Sequence, residues 1–110
     1  MFSIDPPTGR AVHLGTMPRP FHDGASAIVG GVLFVFGGGE ASGSDIVQAF
    51  DLATHRARVA GHLPLPLSDL AAATVDGTVY LAGGFDDVRP QTGIFATTNG
   101  VRFDPVARLP

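Results

Sequence analysis

GGVLFVFGG, residues 30–38, recurs 46 positions later as DGTVYLAGG, residues 76–84. Each copy opens on a turn pair, Gly30-Gly31 or Asp76-Gly77, of the kind that supplies the positive φ of a two-residue type I′ hairpin loop. Each continues through five mostly apolar residues, Val32–Phe36 or Thr78–Ala82, and closes on a double glycine. Such short runs, rich in β-branched and aromatic residues and bounded by glycine, read as strands buried on both faces. By that pattern Tyr80, the one tyrosine, is buried. The partner strands lie before the turns, at Ala25–Val29 and Leu70–Val75. They are rich in alanine (Ala25, Ala27, Ala71, Ala72, Ala73), and small side chains suit the crowded, tapering interior of a closed or radial β structure.

The register extends well beyond the nine residues. Counting 46 forward carries Asp23 to Asp69, Ala27 to Ala73, Gly38 to Gly84 and Leu63-Pro64 to Leu109-Pro110. Counting 46 backward carries Asp51 to Asp5, Thr54 to Thr8, Arg56 to Arg10 and Pro64 to Pro18. The 110 residues therefore divide into 18 plus two repeats of 46. A period in the forties with four short strands per unit is the pattern of propeller blades.

A strand, a turn, an apolar strand ending in Gly37-Gly38 or Gly83-Gly84, then Phe50-Asp51 and a Leu-Pro that closes the unit, together resemble the kelch repeat. The resemblance spans essentially the whole chain. Its departures are specific. Where kelch repeats place a Trp seven residues after the aromatic of the third strand, Ala57 follows Phe50 and Ala11 follows Ile4. Phe95 lacks the Asp that follows Phe50, and Phe103 stands nearest to the Trp role in the second unit. The resemblance implies an all-β fold of kelch-type β-propeller blades, each a four-stranded antiparallel sheet, similar to the central domain of galactose oxidase. Residues 1–18 are the outer two strands of a partial blade, with strands at Phe2–Asp5 and Arg10–Gly15 around the Pro6–Gly9 turn. Residues 19–64 and 65–110 are complete blades, so the propeller is incomplete.

In the first blade the two outer strands fall at Asp45–Asp51 and Ala57–Leu63, after a polar, glycine-rich loop at Gly37–Ser44. The second blade has an inlet loop at Leu65–Asp69, a connection at Gly83–Gln91 and a hairpin turn at Asn99-Gly100. A blade cannot bury its faces alone, and propellers have about four to eight of them. The expected partners are therefore other blades, from the same longer chain or from other copies in an oligomer.

Composition narrows the function classes. The net charge is −3, there is no lysine, and the seven arginines are dispersed. Without a basic patch, nucleic acid is not an expected partner. There is no cysteine, so disulfides and thiolate metal sites are excluded and the compartment stays open. No signal peptide is read at the N-terminus, and no apolar run approaches the ~20 residues of a membrane-spanning helix.

Because the strands of an up-and-down blade alternate in direction, the inlet loop and the loop joining the second to the third strand emerge at one end. That end collects Arg19, His22, Asp23, Glu40, Ser42 and Ser44 from the first unit and Ser68, Asp69, Asp86, Asp87 and Arg89 from the second. The opposite end has only tight turns. Long loops on a rigid scaffold are where binding groups concentrate.

Several constellations there carry possible chemistry. In GGGEASGS, residues 37–44, Gly38 and Gly43 have the separation of a phosphate loop, but Ser44 stands in the lysine position and no helix follows, so the stretch reads as a flexible loop. Asp23 with Asp69, and Asp86 with Asp87, are paired carboxylates; the alternative is that the first two bond backbone at strand starts and the last two are turn residues. No metal site or cofactor is expected. His13, His55 and His62 show no ligand spacing, whereas His22 beside Asp23 has the arrangement of an oriented base. Ser26 and Ser42 lack a nucleophile-elbow context. Arg19 and Arg89 are candidate carboxylate forks.

The leading expectation is a non-enzymatic scaffold binding a protein or carbohydrate ligand through these loops. One rival is a kelch-type carbohydrate-active enzyme. An oxidase of that group needs a Tyr–Cys cross-link that this chain cannot supply, leaving an epimerase-like site of His22, Arg19 and Asp23. Another rival is a self-assembling propeller building block that exchanges its N-terminal hairpin.

Overall fold

The computed structural model describes residues 1–110 as nine β-strands and no helix. They are β1 (Phe2–Asp5), β2 (Arg10–His13), β3 (Ala25–Val29), β4 (Val32–Phe36), β5 (Ser44–Asp51), β6 (Ala57–Val75), β7 (Thr78–Phe85), β8 (Gly93–Thr97) and β9 (Asp104–Arg108). All pairing is antiparallel. β1 and β2 pair only with each other, and β3 to β9 form one open seven-stranded sheet in sequence order. The all-β expectation holds, and no sheet closes on itself.

The turn chemistry explains the strand ends. Gly30-Gly31 and Asp76-Gly77 have φ of 55°, 76°, 48° and 76°, the left-handed pair that a type I′ turn demands. The double glycines repeat as well: Gly37 and Gly38 lie at 61° and 80°, Gly83 and Gly84 at 69° and 99°. Gly37 has a second reason to be glycine, because a Cβ there would sit 2.2 Å from the carbonyl oxygen of Leu67.

One expectation fails instructively. Residues 65–69 read as an inlet loop, but they lie inside the 19-residue β6. Leu63-Pro64-Leu65-Pro66 explains it. A residue before proline is pushed out of the helical region into extended geometry. The leucines Leu63 and Leu67 are buried while the prolines point outward. β6 pairs with β5 up to Leu67 and with β7 from Ser68 onward, so one strand serves two four-stranded halves. Likewise Gly83 and Gly84 belong to β7 rather than to a connecting loop, and the Asn99-Gly100 turn is widened to residues 98–103 between β8 and β9.

The two halves pack face to face. Ala25, Ala27, Phe34, Phe36, Val47, Ala49 and Leu63 from one side meet Leu67, Leu70, Val79 and Leu81 from the other. Burying each Val, Leu or Phe of this set contributes about 1.5–3 kcal/mol. The hydroxyl of Thr74 donates to the carbonyl of Ile28 at 3.0 Å, tying the inner strands β3 and β6 together.

The other face of the first half is covered by the segment after β2. There the Arg19 amide donates to the buried Gln48 Oε1 at 2.9 Å, and Gly15 lies against Phe50. The corresponding face of the second half is covered by nothing in this chain. Tyr80 is consequently 40% exposed, not buried, and β7 alternates between buried Val79 and Leu81 and open positions. Ala71 and Ala73 lie on that open face, whereas Ala25 and Ala27 are buried beneath Phe36 and Phe34, their cross-strand partners. The β1–β2 hairpin is also open, with Phe2 61% and Ile4 67% exposed.

Candidate functional site

The polar loops of both halves meet at one end, and the segment Gly39–Gly43 is their centrepiece. Hydrogen bonds hold it at both ends. His22 and Gly39 exchange both backbone hydrogen bonds, at 2.9 and 3.1 Å. The Ser44 amide donates to Gly38 O at 2.6 Å, and the Gly43 amide donates to both carboxylate oxygens of Asp87, at 3.0 and 2.8 Å. The last contact crosses from one repeat unit to the other.

Two clefts flank this segment. On one side His22, Glu40, Ser42, Ser68 and Asp87 line a cavity of about 100 Å3. On the other, Arg19, Pro20, Glu40, Asp45 and Pro66 line a more open one of about 510 Å3. Glu40 and Ser42 border both.

His22 is fully committed. Its Nδ1 lies 2.6 Å from Asp23 Oδ2 and its Nε2 lies 2.6 Å from the carbonyl oxygen of Glu40. Both partners are acceptors, so only the doubly protonated imidazolium satisfies both bonds. The Glu40 carbonyl first, and the Asp23 carboxylate next, accordingly raise the pKa of His22 above the ordinary histidine value. In this arrangement both ring nitrogens are taken up by acceptors, and neither is left unpartnered. His22 is a staple between the Asp23 corner and the Glu40 loop.

The paired carboxylates separate in role. Asp23 and Asp69 take φ of 55° and 54°, a left-handed geometry that Asp tolerates better than most residues. Asp69 also accepts from the Ser68 hydroxyl at 3.0 Å. Asp86 folds back on its own turn, accepting from the Val88 and Arg89 amides at 3.0 and 2.8 Å and from Gln91 Nε2 at 2.6 Å. The Arg89 amide first, then that of Val88, hold its carboxyl below the usual range. Asp87 turns away to Gly43, so Asp86 and Asp87 do not form a pair.

Arg19 and Arg89 do not form a joint fork. Arg19 borders the larger cleft, whereas Arg89 borders neither. No three His, Asp or Glu side chains converge as a ligand set. Among the remaining histidines, His13 packs edge-on against Phe2, His55 stacks on Phe50, and His62 Nδ1 lies 3.3 Å from Asp45.

The structure thus brings His22, Glu40, Ser42, Ser68 and Asp87 together, with Asp23 and Asp69 beside them, and leaves Asp86 and Arg89 outside. Sequence reasoning missed Pro20, Asp45 and Pro66 on the larger cleft. A signal was present, because Pro20 and Pro66 are 46 positions apart and frame the opening. No protein-family model matches this chain, and no curated protein matches it either.

Proposed function

We propose that this chain is a segment of a kelch-type β-propeller that binds a protein or carbohydrate ligand at its loop-rich end. The observation that carries the reading is that loops from two successive repeat units share one end and are cross-tied there by Gly43 and Asp87. A cleft built from two units on a rigid β scaffold is a preorganised binding site. Carboxylates, hydroxyls and an imidazolium are groups that hydrogen-bond sugar hydroxyls or polar peptide groups, and nothing in the arrangement supplies an activated nucleophile.

The uncovered faces at Tyr80 and at the β1–β2 hairpin support a second part of this reading, that further blades complete the propeller. These come from a longer chain or from other copies.

Backbone amide NMR shifts of the chain, titrated with a panel of neutral, amino and acidic sugars and of short acidic and basic peptides, test the binding role. Saturable shifts confined to residues 22–23, 39–44, 68–69 and 87 are expected for at least one class. A panel that leaves those residues unmoved while shifting others would refute it.

A further inference from the structure

The end opposite the loops holds a third cleft. Where β4 begins, β5 ends and β6 begins, a cavity of about 350 Å3 is lined by Val32, Ala49, Asp51, Thr54, Arg56 and Arg58, among others. Its wall is a closed turn. Asp51 Oδ1 accepts from the Ala53 and Thr54 amides, both at 2.9 Å. The Asp51 amide donates to Arg56 O at 2.9 Å, and the Leu52 amide donates to Gly31 O at 3.0 Å. The Thr54 amide first, then that of Ala53, hold the Asp51 carboxyl below its usual range, so it is ionised. Arg56 and Arg58 flank Ala57 and take part in none of the molecule's ion pairs.

The repeat supplies an internal comparison. Counting 46 forward carries Val32 to Thr78, Asp51 to Thr97, Arg56 to Arg102 and Arg58 to Asp104. Those four residues, with Asn99, line a cavity of about 240 Å3 at the equivalent place in the second unit. There Arg102 Nε donates to Asp104 Oδ1 at 3.1 Å, so the cation is neutralised from within. The two cavities therefore differ in charge, one with two guanidinium groups outside any ion pair and one self-paired, while β8 sits one residue out of the 46-residue register against β7, with Val79 opposite Thr97 where Val32 is opposite Asp51.

The geometry points to the first-unit cleft as a binding site for a monoanionic carboxylate carried on a small apolar body, held by Arg56 and Arg58. Guanidinium forks match planar carboxylates bidentately. Two arginines against one ionised Asp51 leave a single positive charge, which suits a monoanion better than a dianionic phosphate. Val32 and Ala57 offer an apolar surface beside the charges, and the volume lies at the small end of the range for ligand pockets. A free short-chain acid and a peptide carboxylate share this chemistry. The site is remote from the loop-rich end, so it stands or falls separately from the function proposed above.

The test is an amide NMR titration of the full chain with propionate, N-acetyl-Ala-Ala, propionamide and inorganic phosphate. Propionate should give saturable shifts at Thr54, Arg56 and Arg58, and propionamide none. Arg58→Asp, which installs the second unit's residue, should weaken propionate binding by about tenfold, the equivalent of one charge-assisted hydrogen bond. Asp104→Arg should create a second saturable site with shifts at Thr97, Asn99 and Arg102. That gain of function does not depend on how well the Arg58→Asp variant folds. Tighter binding of N-acetyl-Ala-Ala than of propionate supports the site with a peptide carboxylate as its source, and the reverse order supports it with a free acid. Equal response to propionamide, tighter binding of phosphate, or Asp104→Arg without a new site would overturn the assignment.

Discussion

The backbone amide of Asp69 donates to the carbonyl of Asp23 at 2.8 Å, a bond between two residues that occupy the same position in successive repeats. Thr74 and Ile28, also 46 positions apart, are joined five residues further along by the Thr74 hydroxyl, which donates to the Ile28 carbonyl. Repeat-equivalent residues in register side by side mean that β3 and the second half of β6 run in the same direction as neighbouring inner strands. The two units are thus joined along β3 and the second half of β6, by hydrogen bonds between residues 46 positions apart.

Thr74→Val tests how much that inner edge contributes. The substitution preserves the β-branched shape and removes the only side-chain hydrogen bond between β3 and β6. A net loss of about 0.5–1.5 kcal/mol is expected from the urea midpoint, toward the lower end because Thr74 is exposed and water can take its place. An unchanged midpoint would show that this hydroxyl contributes nothing to joining the units.

The glycines separate conformational cost from steric cost. Gly30 and Gly37 have similar φ, 55° and 61°, but a Cβ on Gly30 meets nothing within 4 Å. Gly30→Ala should therefore cost only the left-handed backbone penalty, about 1–2 kcal/mol. Gly37→Ala adds a collision with Leu67 O, and about 3 kcal/mol or more is expected from the same denaturant curves. Equal costs would contradict the close approach of Gly37 to β6 at Leu67.

Much of this architecture was legible because it is written in local chemistry. Glycine pairs at a fixed offset demand positive φ, and alternating apolar runs demand strands, whatever the tertiary setting. What failed did so for non-local reasons. Tyr80 has the pattern of a buried residue, but nothing in this chain packs over its face, and burial is set by the tertiary neighbours rather than by the local pattern. The inlet loop before Asp69 became strand because prolines, usually read as breakers, also enforce extended geometry. At the candidate site, His22 beside Asp23 was visible, but the Glu40 carbonyl that occupies its second nitrogen lies 18 residues away and depends on how residues 37–44 fold back. The contrast between Arg58 and Asp104 was present in the 46-residue alignment and became meaningful only once the turns were seen to enclose cavities.

The pH behaviour of His22 follows from its two acceptors. Its folded pKa is raised above the unfolded value, so the stability it contributes is fully present below about 6.5 and is lost as pH rises through the folded pKa. The imidazole resonance of His22, followed by NMR, should titrate above the ordinary histidine value. Asp23→Asn should lower that midpoint without returning it to normal, because the Glu40 carbonyl is the larger cause. A complete return would mean that Asp23 alone fixes the charge.

Phe103 marks where the second unit reaches back to the first. Its ring meets that of Phe36 edge-on, with centroids 6.2 Å apart and planes at 87°, and Phe36 is fully buried. Phe36 also stacks on Phe34 at 6.0 Å, so the three rings run from inside the first unit to the 98–103 turn of the second. Edge-to-face pairs contribute about 0.5–1.5 kcal/mol beyond the area they bury. A double-mutant cycle of Phe36→Leu and Phe103→Leu, measured by urea unfolding, should return a coupling in that range, since leucine retains apolar volume while removing the ring quadrupole. The same cycle between Phe36 and Phe95, which form no ring pair, should be closer to additive. If the Phe36–Phe103 cycle is additive too, the aromatic contact is incidental. The apolar part of the association of the two units would then rest on aliphatic residues such as Val47, Leu63, Leu67 and Leu81.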